Sequence, residues 1–510
     1  MRALALKLFP VFSERVVWAL LATIGTWIAA DFGVSLNQSL ALLFSVIVLL
    51  LWTINKSNGL IAALLFFMVK PLFVRIAYAI DKDLTGSGGF DLLGITPALL
   101  LAALVLWHSY LRISSGENIL KGKSRILLVL FSGVAFLSIF NPSNSIILGF
   151  GGFERNVLPN MLVLLTASFV FTEIFDSKKF LKVLLVLGFA SCVYGIGQYF
   201  AGLYPWEKDW VVDVAFAESE SGWLTVGLRG VEFRLFSLFY NYMDFTFCNV
   251  LVFALAISFG TVLKGKWHRF RILYLISWGI VLILSLERTP MIMCALAVFT
   301  VYFLYSRKEK RKRIIWKTAV ISVLFLISLS IAAPYLQQTG AQTLIRVAEL
   351  SNPLAASSIE DRLIKNWGPT FETIAANPLG VGIGFGSQTR AKSIAERTSF
   401  YIEPHNELLQ KTLETGVIGG ILYLLLLVSV FKDSICLGHF GGRIRRLGIG
   451  FAAATIGFWV CGVVNVPFSG SSGLLYWAIA GVVLAQCESG LKSSQISANK
   501  IAQTADNSRS

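Results

Sequence analysis

Residues 403–431 read EPHNELLQKTLETGVIGGILYLLLLVSVF, a Pro-His-Asn opening followed by a helix-length apolar run. From Glu407 to Phe431 the stretch is long enough to cross a hydrocarbon core about 30 Å thick, which takes about 20 helical residues. Working outward, comparable runs recur near 16–30, 36–54, 59–80, 92–111, 125–141, 157–175, 180–202, 238–263, 270–286, 289–306, 314–334, 447–466 and 471–487. With 55% hydrophobic and only 14% charged residues and a mean hydropathy of +0.71, the chain holds more apolar material than one soluble core uses. The pattern predicts an all-α polytopic membrane protein with about fourteen transmembrane helices. The first run has no small-residue cleavage site and is followed at once by others, so it reads as a retained helix.

The formal charge of +15 does not point to nucleic acid, because the basic residues form short clusters between apolar runs instead of one basic domain. Most of them fall in alternate connections, around Lys56, Arg112–Arg125, Lys178–Lys182, Lys264–Arg271, Arg307–Lys317 and Arg443–Arg446. The positive-inside rule puts these connections and both termini in the cytoplasm. The six cysteines fall in helices or on that side and show neither disulfide nor metal-type spacing. The resulting divisions are N-terminal helices (1–202), a first outer loop (203–237), further helices (238–334), a large outer loop (335–406), C-terminal helices (407–488) and a Ser/Asn/Gln-rich tail (489–510) expected to be disordered. Outer loops this long are usually functional. In the second, Ile359, Leu363, Trp367 and Phe371 share one helical face, predicting an amphipathic helix on the membrane surface that stops at Asn377-Pro378.

Polar residues at the outer face narrow the chemistry. His405 is the one histidine assigned there; His108, His268 and His439 fall at the opposite face. Asn406 is a candidate cap for the following helix, whose positive end favours the neutral imidazole that a general base requires. A structural hydrogen-bonding role is the alternative. Arg288 lies in a very short outer turn, Arg234 just before a helix, and Arg362 at the start of the amphipathic segment. Guanidinium groups clamp phosphate oxygens in pairs and stay charged at any relevant pH. Each also has a carboxylate nearby in sequence to neutralise it: Glu287, Glu232 or Asp361. The run Gly380-Val381-Gly382-Ile383-Gly384-Phe385-Gly386 has the wrong spacing for a dinucleotide fingerprint. It reads as a tight loop that brings backbone against backbone, with amides around a phosphate as the sharper reading. Lys70 and Arg75 inside an apolar run are costly unless paired or facing water, and otherwise snorkel from a helix that ends near Pro71. No internal repeat accompanies them, so a transporter built from matched halves is not evident.

Arg234 to Asn241, Ser285-Leu286-Glu287-Arg288, Arg362-Leu363 with Trp367, Asn377 to Gly384, and His405-Asn406 to Leu409 with Glu414-Thr415-Gly416 and Gly419 together resemble the O-antigen ligase and polymerase family of bacterial surface-polysaccharide enzymes. The resemblance covers about residues 180–470, with Glu287 in place of the commoner serine before the arginine. It implies a GT-C-like, metal-independent and inverting glycosyltransferase of the bacterial inner membrane with no cofactor, its active site facing the periplasm. The donor implied is a glycan on undecaprenyl diphosphate; the acceptor is another lipid-linked glycan or lipid A core, with protein O-glycosylation as a further member activity. In that setting Arg234, Arg288 and Arg362 hold the diphosphate and His405 takes the acceptor proton. Asn406, Glu414, Lys70, Arg75, Gly382 and Gly384 are candidate supports. The number of crossings and the sizeable first outer loop lean toward a polymerase. A polysaccharide exporter or lipid flippase is the rival from another class, favoured by Lys70 and Arg75 and disfavoured by polar residues gathered at one face.

Overall fold

Apolar length turns into helices because a backbone in lipid must satisfy its own hydrogen bonds. The computed structural model describes residues 36–80, 92–116, 118, 122–171, 177–211, 234–260, 262–285, 287–306, 309–313, 315–316, 366–385 and 404–507. In chain order its helices are α1 (Leu36–Ile54), α2 (Lys56–Ile80), α3 (Leu92–Ser114), α4 (Lys123–Leu137), α5 (Ile146–Asn156), α6 (Leu158–Val170), α7 (Ser177–Ala201), α8 (Pro205–Trp210), α9 (Tyr242–Ser258), α10 (Lys266–Leu284), α11 (Arg288–Tyr305), α12 (Gly368–Ala376), α13 (Glu407–Leu437), α14 (Gly442–Gly462) and α15 (Gly470–Asn507). No strand occurs among the described residues.

Eight of these helices are long and apolar enough to cross a membrane: α2, α4 with the 3₁₀ turn that follows it, α7, α10, α11, α13, α14 and α15. The sequence count of about fourteen is larger for identifiable reasons. The run near 16–30 and all but residues 315–316 of the run near 314–334 lie outside the described residues. The run near 157–175 contains the 13-residue helix α6, only about 20 Å long at 1.5 Å per residue. Val157 breaks it from α5, and nearly all of its residues are buried against α15 and its neighbours. Around this centre α13 packs on α4 and α14, α14 on α9 and α11, and α10 on α7. The outward faces of α10, α11 and α13 carry Ile276, Ile283, Ile292, Tyr302, Ile418 and Ile421, suited to lipid contact.

Two sequence expectations need correction here. The helix α2 continues through Pro71 to Ile80, and Arg75 is fully buried, so neither a helix end at Pro71 nor a snorkelling Arg75 holds. Likewise α15 runs on to Asn507 where a disordered tail was expected. Its packed first half nucleates the helix, and propagation from an existing helix is cheap even through polar residues.

Long-range polar contacts occur mid-bundle, where Asn249 Nδ2 donates to Ser191 Oγ at 3.0 Å and the Tyr274 hydroxyl to the Asn249 carbonyl at 2.9 Å, and at the two ends. At one end Arg125 Nη1 lies 3.1 Å from Glu488 Oε1, Ser124 Oγ donates to Asp433 Oδ2 at 2.6 Å and Ser258 Oγ donates to the Arg446 carbonyl at 2.6 Å. This end adjoins the basic connections. The opposite end carries His405, Arg234 and Arg288.

Candidate active site

The site begins where α13 begins. Asn406 is the N-cap: its backbone is extended and its side-chain oxygen accepts from the Leu409 amide at 3.0 Å, as the sequence predicts. Its Nδ2 donates to the Val463 carbonyl at 3.0 Å, tying the cap to the connection between α14 and α15. His405, just before it, is half-buried with φ 46°, a left-handed backbone that few non-glycine residues adopt. Such strain persists only where the surroundings hold it and is concentrated at functional sites. Glu407, buried in the first turn, accepts from the Tyr423 hydroxyl at 3.0 Å and from the Phe468 amide at 3.3 Å, with Lys411 Nζ 3.8 Å away.

The second component is the turn before α9. Arg234 Nη1 lies 2.9 Å from Glu287 Oε1, and the guanidinium stacks over the Tyr242 ring at 4.4 Å. Glu287 occupies the N-cap position of α11, whose first residue is Arg288, without a capping side-chain bond, so this ion pair draws Arg234 and the Arg288 turn together. The carboxylate next to Arg288 in sequence therefore partners Arg234. Both side chains of the pair remain partly exposed, at 18% and 15%. Three residues on, Ser237 has φ 53° and a fully enclosed setting. Its amide donates to Gln198 Oε1 at 2.8 Å, its hydroxyl to the Ser191 carbonyl at 2.6 Å, and its own carbonyl accepts from Arg75 Nη2 at 2.6 Å.

Arg75 also donates to Glu207 Oε1 at 2.9 Å and to the Pro71 carbonyl at 3.2 Å, and it stacks over Phe236 at 4.8 Å. Glu207 accepts in addition from Tyr194, Gln198 and the Tyr204 amide. This network joins α2, α7 and α8 to the turn that carries Arg234. Lys70, one helical turn before Arg75's level, is half-buried with Nζ 5.9 Å over the Tyr240 ring.

The glycine run fastens a third component. Gly380, Gly382 and Gly384 all have positive φ, of 86°, 100° and 85°. Val381 donates to the Leu413 carbonyl at 2.9 Å and Gly382 to the Glu414 carbonyl at 3.1 Å, while Val417 donates to the Pro378 carbonyl at 2.9 Å. Gly416, at φ 77° and ψ 175°, kinks α13 to make room. A Cβ on Gly380 would sit 2.5 Å from the Gly416 nitrogen, and one on Gly384 would sit 2.7 Å from the Leu148 carbonyl oxygen. Asn141 and Asn144 donate to the Gly380 and Ile383 carbonyls at 2.8 and 2.7 Å. With the Gly380 amide donating to Asn377 and Phe385's to Gly382, this geometry favours backbone-on-backbone packing over a phosphate cradle. Glu414 is fully buried beside this seam. In α12, the described part of the amphipathic segment, Thr370 is buried and Phe371 is 54% exposed; Arg362 lies outside the described residues.

The structure thus gathers the Arg234 turn, the Arg288 turn and the His405–Asn406 cap at one end of an all-helical bundle, a polytopic membrane protein with a polar site at one face. Residues 272–424 match the family model described as O-antigen ligase, in keeping with the resemblance read from the motifs of this chain. The match takes in Arg288, Arg362, the glycine run, His405 and Glu414, and leaves Arg234 before it. No curated protein matches the chain. Sequence reasoning missed Glu407, Asp244, Glu207 and Ser472. For Asp244 a signal was available, because Asn241 caps α9 by accepting the Asp244 amide at 2.7 Å, an N-x-x-D opening.

Proposed function

We propose that this protein transfers or polymerises a glycan carried on undecaprenyl diphosphate at the periplasmic face of the bacterial inner membrane. The observation that carries the reading is the O-antigen ligase match spanning Arg288 and His405, two residues that come from separate helix starts at the same end of the bundle. Arg234 and Arg288 bind the diphosphate, and Arg362 helps position it. The acceptor hydroxyl oxygen attacks the anomeric carbon while the bond to the diphosphate oxygen breaks, and configuration inverts. His405 takes the hydroxyl proton. Undecaprenyl diphosphate leaves with its charge held by fixed guanidinium groups, stabilisation that needs no reorganisation at the moment of reaction.

The polymerase form of this reading rests on the number of apolar runs and the long first outer loop; the O-antigen ligase match supports glycan transfer of this kind in either form, the ligase form having lipid A core as acceptor. An exporter loses ground because Arg75, its main intramembrane support, spends its donors on Glu207, Ser237 and Pro71. The glycan phenotype of a deletion strain tests the reading. Lipid A core capped by a single repeat indicates a lost polymerase, and uncapped core with accumulated lipid-linked polymer indicates a lost ligase. An unchanged glycan profile contradicts both.

A further inference from the structure

The connection between α14 and α15, residues 463–469, and the first turn of α15 through Ser472 are gripped from two sides by the elements that carry Arg234 and His405. On the α9 side, Asp244 Oδ1 accepts from both the amide and the hydroxyl of Ser472 at 3.1 Å, and its Oδ2 lies 3.4 Å from Asn241 Nδ2. Gly470 has φ 61°, and a Cβ there would sit 2.7 Å from Asp244 Oδ1, so glycine is what lets the loop approach the carboxylate. On the α13 side, Glu407 Oε2 accepts from the Phe468 amide at 3.3 Å and Asn406 Nδ2 donates to the Val463 carbonyl at 3.0 Å. From α6, Asn160 Nδ2 donates to the Phe468 carbonyl at 3.1 Å, and within the loop Ser472 Oγ contacts the Pro467 carbonyl at 3.0 Å.

Two buried carboxylates thus each give an oxygen to the same short loop, Asp244 being 6% and Glu407 3% exposed. Burying a carboxylate is costly unless it is hydrogen-bonded, and here the loop supplies bonds to both. We infer that residues 463–472 are a rigid spacer between the Arg234 turn and the His405 cap, with Asp244, Glu407 and Ser472 as positioning residues for glycosyl transfer. The inference rests on the proposed reaction for its catalytic consequence and on geometry alone for the spacer. Asn241 and Asp244 open the helix that follows the Arg234 turn, and Glu407 lies two residues after His405. A displacement of the order of 1 Å between reacting groups costs about 10²-fold in rate, which is what a shared anchor prevents.

The test uses full-length protein in membranes with nitroxide labels on cysteines replacing Met243 and Leu408, near the starts of α9 and α13. Three variants are compared: Asp244→Asn, Ser472→Ala, and the double variant Glu407→Met with Lys411→Met, which removes that ion pair as a unit and leaves no lone buried charge. Ser472→Ala deletes one hydroxyl and keeps the test available should a carboxylate variant fail to insert. The expected result is a longer or broader label separation by pulsed electron paramagnetic resonance in each variant. It is accompanied by a fall in kcat of about 10–10²-fold that shrinks below about twofold in a His405→Gln background. An unchanged separation overturns the spacer, and an equal fall in kcat in both backgrounds overturns the positioning role. A changed separation in a protein whose His405→Gln form keeps full activity supports the spacer while removing the proposed role of His405.

Discussion

Arg234 and Glu287 form an ion pair that stays partly exposed, an arrangement that holds a guanidinium in place without using up its fork. A bidentate site for a diphosphate needs that planar fork as well as the charge. Arg234→Lys and Arg288→Lys are each expected to lower transfer strongly while leaving the protein folded, as steady-state kinetics on purified protein would show; wild-type rates in either variant remove the clamp. Glu287→Gln keeps a hydrogen-bonding partner but frees the Arg234 charge, so its effect is expected to be smaller than that of Arg234→Lys. Glu287 itself illustrates a limit of sequence reading. Beside Arg288 it looks like that residue's own counter-charge, and only the approach of a turn more than fifty positions earlier in the chain reveals a different partner.

At the scale of helices and loops, the kink in α13 and the glycine run are two halves of one seam. Gly416 occupies φ 77° and ψ 175°, a region essentially confined to glycine, and a Cβ there would sit 2.6 Å from the Leu379 carbonyl carbon. Gly416→Ala is therefore expected to destabilise by about 1–3 kcal/mol or more, read as a lowered Tm in detergent; an unchanged Tm contradicts the seam. The Arg75–Glu207 pair makes a second element-level prediction. Arg75→Ala leaves Glu207 buried without its cation and should cost about 3–5 kcal/mol, whereas Arg75→Met with Glu207→Met should recover most of the loss. Equal stability of the single and double variants by thermal melting argues against a paired role. Helices such as α7, α10 and α13 were legible from apolar length, and the Asn406 cap from its place before a run. The seam and the Arg75 network were not, because their halves are far apart in the chain: Gly380 meets Gly416, and Arg75 meets Glu207 across 132 positions. Asp244 and Glu407 escaped notice for a different reason. An acid in the first turn of a helix is favoured by the helix dipole anyway and calls for no further explanation.

For the whole molecule, the proposed topology has the end bearing His405 in the periplasm and the end bearing the Arg125–Glu488 pair in the cytoplasm. Cysteines at positions 310 and 392 test this with a membrane-impermeant reagent: in intact spheroplasts position 392 is expected to label and position 310 is not. The reverse pattern overturns the topology and the site with it. The central claim is that glycosyl transfer at this end depends on His405 as the base. It is tested most directly with the purified full-length protein on a lipid-linked glycan donor, wild type against His405→Gln. Glutamine can hydrogen-bond the acceptor but cannot take its proton, so the variant is expected to insert normally and to transfer about 10²–10⁴-fold more slowly. Full activity of His405→Gln would contradict the account and return the left-handed His405 to a structural role at the start of α13.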